Sequence, residues 1–260
     1  MAAEINVKNN LLNNAENVKE LQTKLAKLIE ELDTMSAADQ MKQAYSIVSI
    51  AEKDKPIVAE FLRKFFFRDE PLNVAIKLLD ETESTNKLEK YCIDYLHHGF
   101  SFKAVSAAGD LIGVILNNVM EREENEQNGQ DEEESSPNCK KFKDIIVLLD
   151  KIKREADVFK LYPHVKRILE IKIVTVNDAN RGQGVCKALI DKTKELAKEL
   201  DCQMIYVECT SHYSAKAVTR LGFKSIHSLE YQKHLNGQGE VVFETNLPHD
   251  RAEVFVLPIL

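Results

Sequence analysis

The stretch DANRGQGVCKALIDKT, residues 178–193, decides how the chain is read. It follows a long β-branched run, RILEIKIVTVN (167–177), and opens an apolar pattern of helical period. The spacing predicts a strand, a glycine-bearing turn, then a helix from Val185 to about Leu200. The expected buried face is Val185, Ala188, Leu189, Leu196 and Leu200. Such a turn suits an anion. The first helical N–H groups have no partner inside the helix, and glycine lets the backbone come close without a Cβ in the way. A structural turn with no ligand is the alternative on this stretch alone. Two common nucleotide loops are excluded. GxxxxGK followed by Ser or Thr is absent, and GxGxxG fails because Val185, Cys186 and Lys187 follow Gly184.

Downstream, MIYVEC (204–209) reads as a buried strand. A short helix carrying Tyr213, Ala217, Val218 and Leu221 follows and stops at Gly222, with strands near 224–231 and 252–257. Strand, helix, strand, helix implies an α/β (α+β) fold: a mixed sheet with residues 168–177 and 204–209 as a parallel pair. Upstream, AYSIVSIAE (44–52) is strand-like. KPIVAEFLRKFFF (55–67) is helical, with an apolar face of Ile57, Val58, Phe61, Leu62, Phe65 and Phe66, and Pro71 interrupts at RDEPLN. Leu88, Tyr91, Cys92 and Tyr95 mark a further helix. FSFKAVSAA and DLIGVILNNV form a hairpin turning at Gly109-Asp110, and FKDIIVLLDKIKREA (142–156) is helical.

The chain divides into an extension, residues 1–40, and a main domain, residues 41–260. In the extension, Leu11, Val18, Leu25 and Leu32 alternate with Asn14, Leu21, Leu28 and Met35 at heptad spacing. An amphipathic helix packed on its own domain and a self-associating coiled coil through residues 11–35 both fit. The net charge of −7 is local: residues 121–136, EREENEQNGQDEEESS, hold eight acidic residues and one arginine. The segment 121–140 is expected to be a solvated loop. Without it the chain is neutral, so no basic stripe argues for nucleic acid. No apolar run approaches the ~20 residues of a membrane span. Five cysteines without CxxC spacing read as reduced thiols of a cytoplasmic protein, neither a metal site nor a disulfide framework.

Arg181, Gly184 and Cys186 resemble the Arg/Gln-x-x-Gly-x-Gly/Ala signature of the GNAT superfamily of N-acetyltransferases, with Cys at the last position. FFFRDEPLN (65–73) and ECTSHYSAKAVTRLGF (208–223) look like its insect arylalkylamine N-acetyltransferase branch, the dopamine N-acetyltransferase-like proteins. The order of elements agrees from about residue 43 onward. The resemblance implies acetyl-CoA as co-substrate, held where the parallel strands splay apart. Backbone groups of Val174, Thr175 and Val176 would pair with its pantetheine. Arg181, Gly182, Gln183, Gly184, Val185, Cys186 and Lys187 would wrap its pyrophosphate.

The resemblance also implies acetyl transfer to the primary amine of a small arylalkylamine, by direct attack in a ternary complex. Glu70 would be the general base. Its bland alternative is a helix N-terminal glutamate, where negative charge is favoured anyway. Ser214 matches a serine near the coenzyme sulfur, and Thr210 sits where a second serine is common. Thr210 or Ser211 capping the next helix is the mundane alternative. An agmatine or polyamine acetyltransferase and a non-catalytic acyl-CoA-binding module are the competing functions. Phe65, Phe66, Phe67, Tyr91, Tyr95, Phe159 and Tyr162 are candidates for an aromatic pocket wall or for the core.

Overall fold

The computed structural model describes residues 45–122 and 139–259. The 11–35 heptad and most of the acidic segment lie outside the described residues. Strand β1 (Tyr45–Ser49) leads to α1 (Lys55–Leu62), a π-helical turn (Arg63–Phe67), α2 (Pro71–Ala75) and α3 (Thr82–Asp94). The hairpin β2 (Phe102–Ser106) and β3 (Leu111–Glu121) follows, then α4 (Lys140–Ala156) and α5 (Val158–Leu161). Strand β4 (Arg167–Val176), α6 (Val185–Glu199), β5 (Met204–Cys209), α7 (His212–Arg220), β6 (Lys224–Glu230) and β7 (Arg251–Pro258) complete the order. The seven strands form one sheet, β1-β2-β3-β4-β5-β7-β6. Its parallel pair is β4–β5, as the strand–helix–strand pattern requires.

Strand β4 is apolar almost throughout because layers cover both of its faces. On one face Ile168 and Ile173 join a core with Val58, Leu62 and Phe67 of the first helical segment, Leu88 and Cys92 of α3, and Leu148 and Ile152 of α4. On the other lies α6. A Cβ on Gly113 of β3 would sit 3.1 Å from Val185 Cγ1 and 3.2 Å from Leu189 Cδ1, so helix and sheet meet closely there.

Some expected faces are corrected. Helix α6 buries Val185, Leu189, Ile190, Thr193 and Ala197, while Ala188, Leu196 and Leu200 sit at its margin. Thr193 is the residue that hydropathy hides. It is fully buried, yet its hydroxyl donates to the Leu189 carbonyl at 3.2 Å and accepts from Asn117 Nδ2 at 3.1 Å. In the first helical segment the π turn adds a residue and rotates the pattern, so Phe67 is fully buried and Ile57 is exposed. Helix α7 buries Ala215 and Val218 and leaves Tyr213 exposed.

The acidic segment is narrower than 121–140. Glu121 ends β3 and pairs with Arg167, and Cys139 is buried. Arg122 donates to the carbonyls of Val165, Phe159 and Tyr162, with its guanidinium over the Phe159 ring. Those two aromatic residues therefore serve this corner of the domain.

The site depends on one irregularity. Across the β3–β4 ladder, Leu116 faces Ile173 while Asn117 faces Ile171, which leaves Lys172 as an extra residue in β4. The β4–β5 ladder runs from Ile168–Met204 to Ile171–Val207 and ends at that same point. Beyond it β4 stays paired with β3 through Val176, and β5 with β7 through Cys209. The two strands part, leaving the β5-facing edge of Val174–Val176 without a strand partner.

Leu189 is fully buried between α6 and the sheet. Truncating it leaves a cavity, so Leu189→Ala is expected to cost about 2–5 kcal/mol in urea unfolding. A loss below about 1 kcal/mol would mean that α6 is not seated as described.

Candidate functional site

Both glycines of the 178–193 stretch adopt a left-handed backbone, Gly182 at φ 77° and Gly184 at φ 80°. A side chain at either would be strained, which answers why glycine is used. Asn177 starts the turn by accepting from the Asn180 N–H at 2.9 Å. Gly184 then becomes the N-cap of α6, with no side chain to occupy the helix's first N–H groups. The turn therefore brings bare backbone donors and the positive end of a fifteen-residue helix to the mouth of the splay.

The charged members of the stretch are less available than the backbone. Arg181 donates from Nε to the Val176 carbonyl at 3.2 Å, and from Nη2 to Asp69 and to Asp178, both at 3.0 Å. Arg68 joins the same two carboxylates, so an ion network ties the glycine turn to the segment carrying Glu70. Lys187 pairs with Asp191 one turn along α6, and Gln183 Nε2 donates to the Ala179 carbonyl. Thr175 points its hydroxyl away from the cleft, into a 3.1 Å bond to the Phe65 carbonyl of the π turn. Val174 and Val176 lie with it on the open edge of β4.

Glu70 stands at the other side. The π turn ends with the N–H groups of Asp69 and Glu70 both directed at the Phe66 carbonyl, and Pro71 starts α2 at its first position. Glu70 is the N-cap of α2, accepting from the Leu72 N–H at 3.3 Å. Its other oxygen accepts from Thr210 Oγ1 at 3.0 Å, across 140 residues of chain. Glu70 thus has the helix-capping role and also faces β5. Pro71, Leu72 and Phe67 around it are buried. Burial pushes the Glu70 carboxyl above the ordinary glutamate range, against the two hydrogen bonds, which favour the charged form.

Thr210 does not cap α7. Its hydroxyl goes to Glu70, and its carbonyl accepts from Tyr231 Oη at 2.6 Å. Ser211 is the cap, accepting from the Ser214 N–H at 3.0 Å. Ser214 Oγ donates to the Ser211 carbonyl at 2.9 Å. Its hydroxyl also lies beside the Cys209 thiol. Burial raises the thiols of Cys186 and Cys209, to about 11 and about 12, so neither is a thiolate nucleophile at neutral pH.

Among the aromatic candidates, Phe67 belongs to the core, while Tyr91 and Tyr95 surround Lys172. Sequence reading missed the polar group under the splay: Glu170, Lys172, Tyr206 and Glu208. Tyr206 Oη donates to Glu208 at 2.7 Å, and Lys172 pairs with Glu170 at 3.1 Å. The available signal was the charge at alternate positions inside two otherwise apolar strands, LEIKI and YVEC. Among the described residues no cluster of side chains forms a metal site, and no helix is long and apolar enough to cross a membrane.

Because Glu70 holds its proton more readily in the folded chain than in the unfolded one, stability is lost as pH rises. The loss starts near the unfolded value of ~4.3 and continues through the higher folded value. Glu70→Gln has no such proton to lose. Its urea midpoint should gain on that of the wild type between about pH 4 and about pH 8. A constant difference across that range would show that Glu70 is not desolvated.

A model of the acetyltransferase (GNAT) family matches residues 75–223. The crystal structure of arylalkylamine N-acetyltransferase 2 from Aedes aegypti superposes with a TM-score of 0.75 at 30% identity, covering 83% of this chain and 99% of that one. A Drosophila melanogaster polyamine N-acetyltransferase, which catalyses the formation of N-acetylagmatine, shares the fold. Its TM-score is 0.72 at 24% identity, covering 82% of this chain and 99% of that one. A parted parallel strand pair and a glycine turn at a helix start thus agree with a family match over more than half of the sequence: the chain belongs to the GNAT acetyltransferase family and is an acyltransferase.

Proposed function

We propose that this acyltransferase moves an acetyl group from acetyl-CoA to the primary amine of a small arylalkylamine. The observation that carries the reading is the Thr210–Glu70 hydrogen bond, which sets a partly buried carboxylate beside the parting strands. In this reading the N–H groups of Gly182–Lys187 hold the pyrophosphate. Val174–Val176 offer their open edge to the pantetheine, as a strand would. The ion network of Arg181 leaves the backbone as the principal holder of the phosphates. The name of the mosquito enzyme, an arylalkylamine N-acetyltransferase, supports this amine class.

A primary alkylamine titrates near ~10, so at neutral pH it arrives as an ammonium without a lone pair. Glu70, ionised, takes that proton directly or through one water. The raised pKa makes it a better acceptor than an ordinary glutamate. The freed amine attacks the thioester carbon, and a backbone N–H on the open edge of β4 stabilises the oxyanion. The C–S bond then breaks, and the Ser214 hydroxyl donates a hydrogen bond to the departing thiolate. This requires it to turn from the Ser211 carbonyl. No acyl-enzyme is needed, in keeping with the protonated state of the nearby thiols.

A second amine class has an observation in its favour. Glu208 lies two residues before Thr210 on β5 and is half-buried, a second carboxylate near the proposed base. It would suit the distal cation of agmatine or a polyamine. A rate panel with tryptamine, dopamine, agmatine and spermidine separates the two.

Glu70→Gln is expected to lower kcat about 10²–10⁴-fold at neutral pH while leaving acetyl-CoA affinity within about twofold by calorimetry. Unchanged kcat would remove Glu70 from the chemistry. Thr210→Val deletes a hydrogen bond that favours the Glu70 carboxylate, so Glu70 should titrate higher and the acid limb of the kcat/KM profile should move to higher pH. A limb that stays in place, or moves down, would separate Thr210 from the base.

A further inference from the structure

Lys172 is a charged residue where the strand pattern calls for an apolar one. Its side chain is 13% exposed, and that of its partner Glu170 is 3% exposed. A buried ammonium survives only when its lost hydration is replaced. Here Glu170 Oε1 lies 3.1 Å from Nζ, and the Tyr91 and Tyr95 rings of α3 stand 5.7 Å and 5.2 Å away. Those rings pack edge-on at 5.3 Å, and Tyr91 also meets Phe142 of α4. The second oxygen of Glu170 accepts from Asn118 of β3 at 3.4 Å. Burial pulls the Lys172 pKa down, but Glu170, the two tyrosines and Glu208 outweigh it, and the group stays charged.

This cation sits at a particular place. Lys172 is the extra residue of β4, and the β4–β5 ladder ends one residue before it. A bulge has no ladder partner of its own, so its position depends on what its side chain grips. Lys172 joins the bulge to α3 through the tyrosines, and through Glu170 to β3.

We propose that Lys172 is a positioning residue that fixes where β4 leaves β5, and so sets the open edge at Val174–Val176 on which the coenzyme lies. The inference rests on the acetyl-CoA reading of that edge. Without the cation the bulge can slide or flatten, β4 can zip further along β5, and the coenzyme loses its place in the sheet. The amine-side groups Glu70 and Thr210 hold each other and are not pinned by Lys172.

The test uses Lys172→Met combined with Glu170→Gln, which removes the charges as a pair and leaves no lone buried carboxylate. The acetyl-CoA Kd and KM should rise about tenfold or more, while the amine KM at saturating acetyl-CoA stays within about threefold. Amide hydrogen exchange of 171–177 in the free protein should quicken. Lys172→Arg, which keeps a cation for the same partners, should restore both. If the double variant does not fold, Tyr95→Leu removes one ring and should raise the acetyl-CoA KM in the same direction, by about threefold. Unchanged acetyl-CoA affinity, or an equal rise in both KM values, overturns the proposal. Absence of heat with acetyl-CoA in the wild type would instead overturn the coenzyme reading, and the exchange rates would then judge Lys172 alone.

Discussion

Hydrogen bonding between β4 and β5 stops after Ile171 and Val207, and the proposed chemistry needs that interruption. Had the ladder continued, the edge of Val174–Val176 would be saturated by protein and the cleft would be closed. A continued ladder is also the lower-energy choice for two apolar strands, since unmade backbone hydrogen bonds are costly. The bulge at Lys172 is what diverts β4. Its neighbours on both sides of the sheet, α6 against Gly113 and Val185 and the π turn against Thr175, hold the diverted strand on its new course.

The same segments also bring the two sides of the site together. The π turn contributes the Phe65 carbonyl to Thr175, Asp69 to Arg181, and Glu70 to Thr210. Five residues wound one step wider than an α-helix thus reach β4, the glycine turn and β5 in succession. A regular helix through Phe67 would turn Glu70 by roughly a quarter of a revolution, since each residue advances about 100°. Glu70 is the feature most sensitive to that extra residue.

Much of this was legible in the chain itself. The alternation of RILEIKIVTV and MIYVEC with helical periods exposed the parallel pair, and Gly182 and Gly184 marked the turn because few other residues tolerate a left-handed backbone. What escaped notice was set by tertiary contact. Thr193 is buried because Asn117 satisfies it, which no hydropathy scale reports. The π turn left no local mark in KPIVAEFLRKFFF, so Phe67 and Ile57 exchanged places. The bulge appears only when β3 is laid beside β4. Ser211 and Thr210 are adjacent hydroxyl residues, and sequence alone could not say which one caps α7.

The sheet order places β7 between β5 and β6, although it is made after both. During synthesis β5 therefore has one side bare until residues 251–258 leave the ribosome. Until then the backbone that carries Cys209 and Thr210 lacks the strand that straightens it. The half-made domain presents a sticky apolar ribbon, a hazard that chaperones commonly meet. Interference with the insertion of residues 251–258 would disarm the protein without touching any group that handles the acetyl moiety.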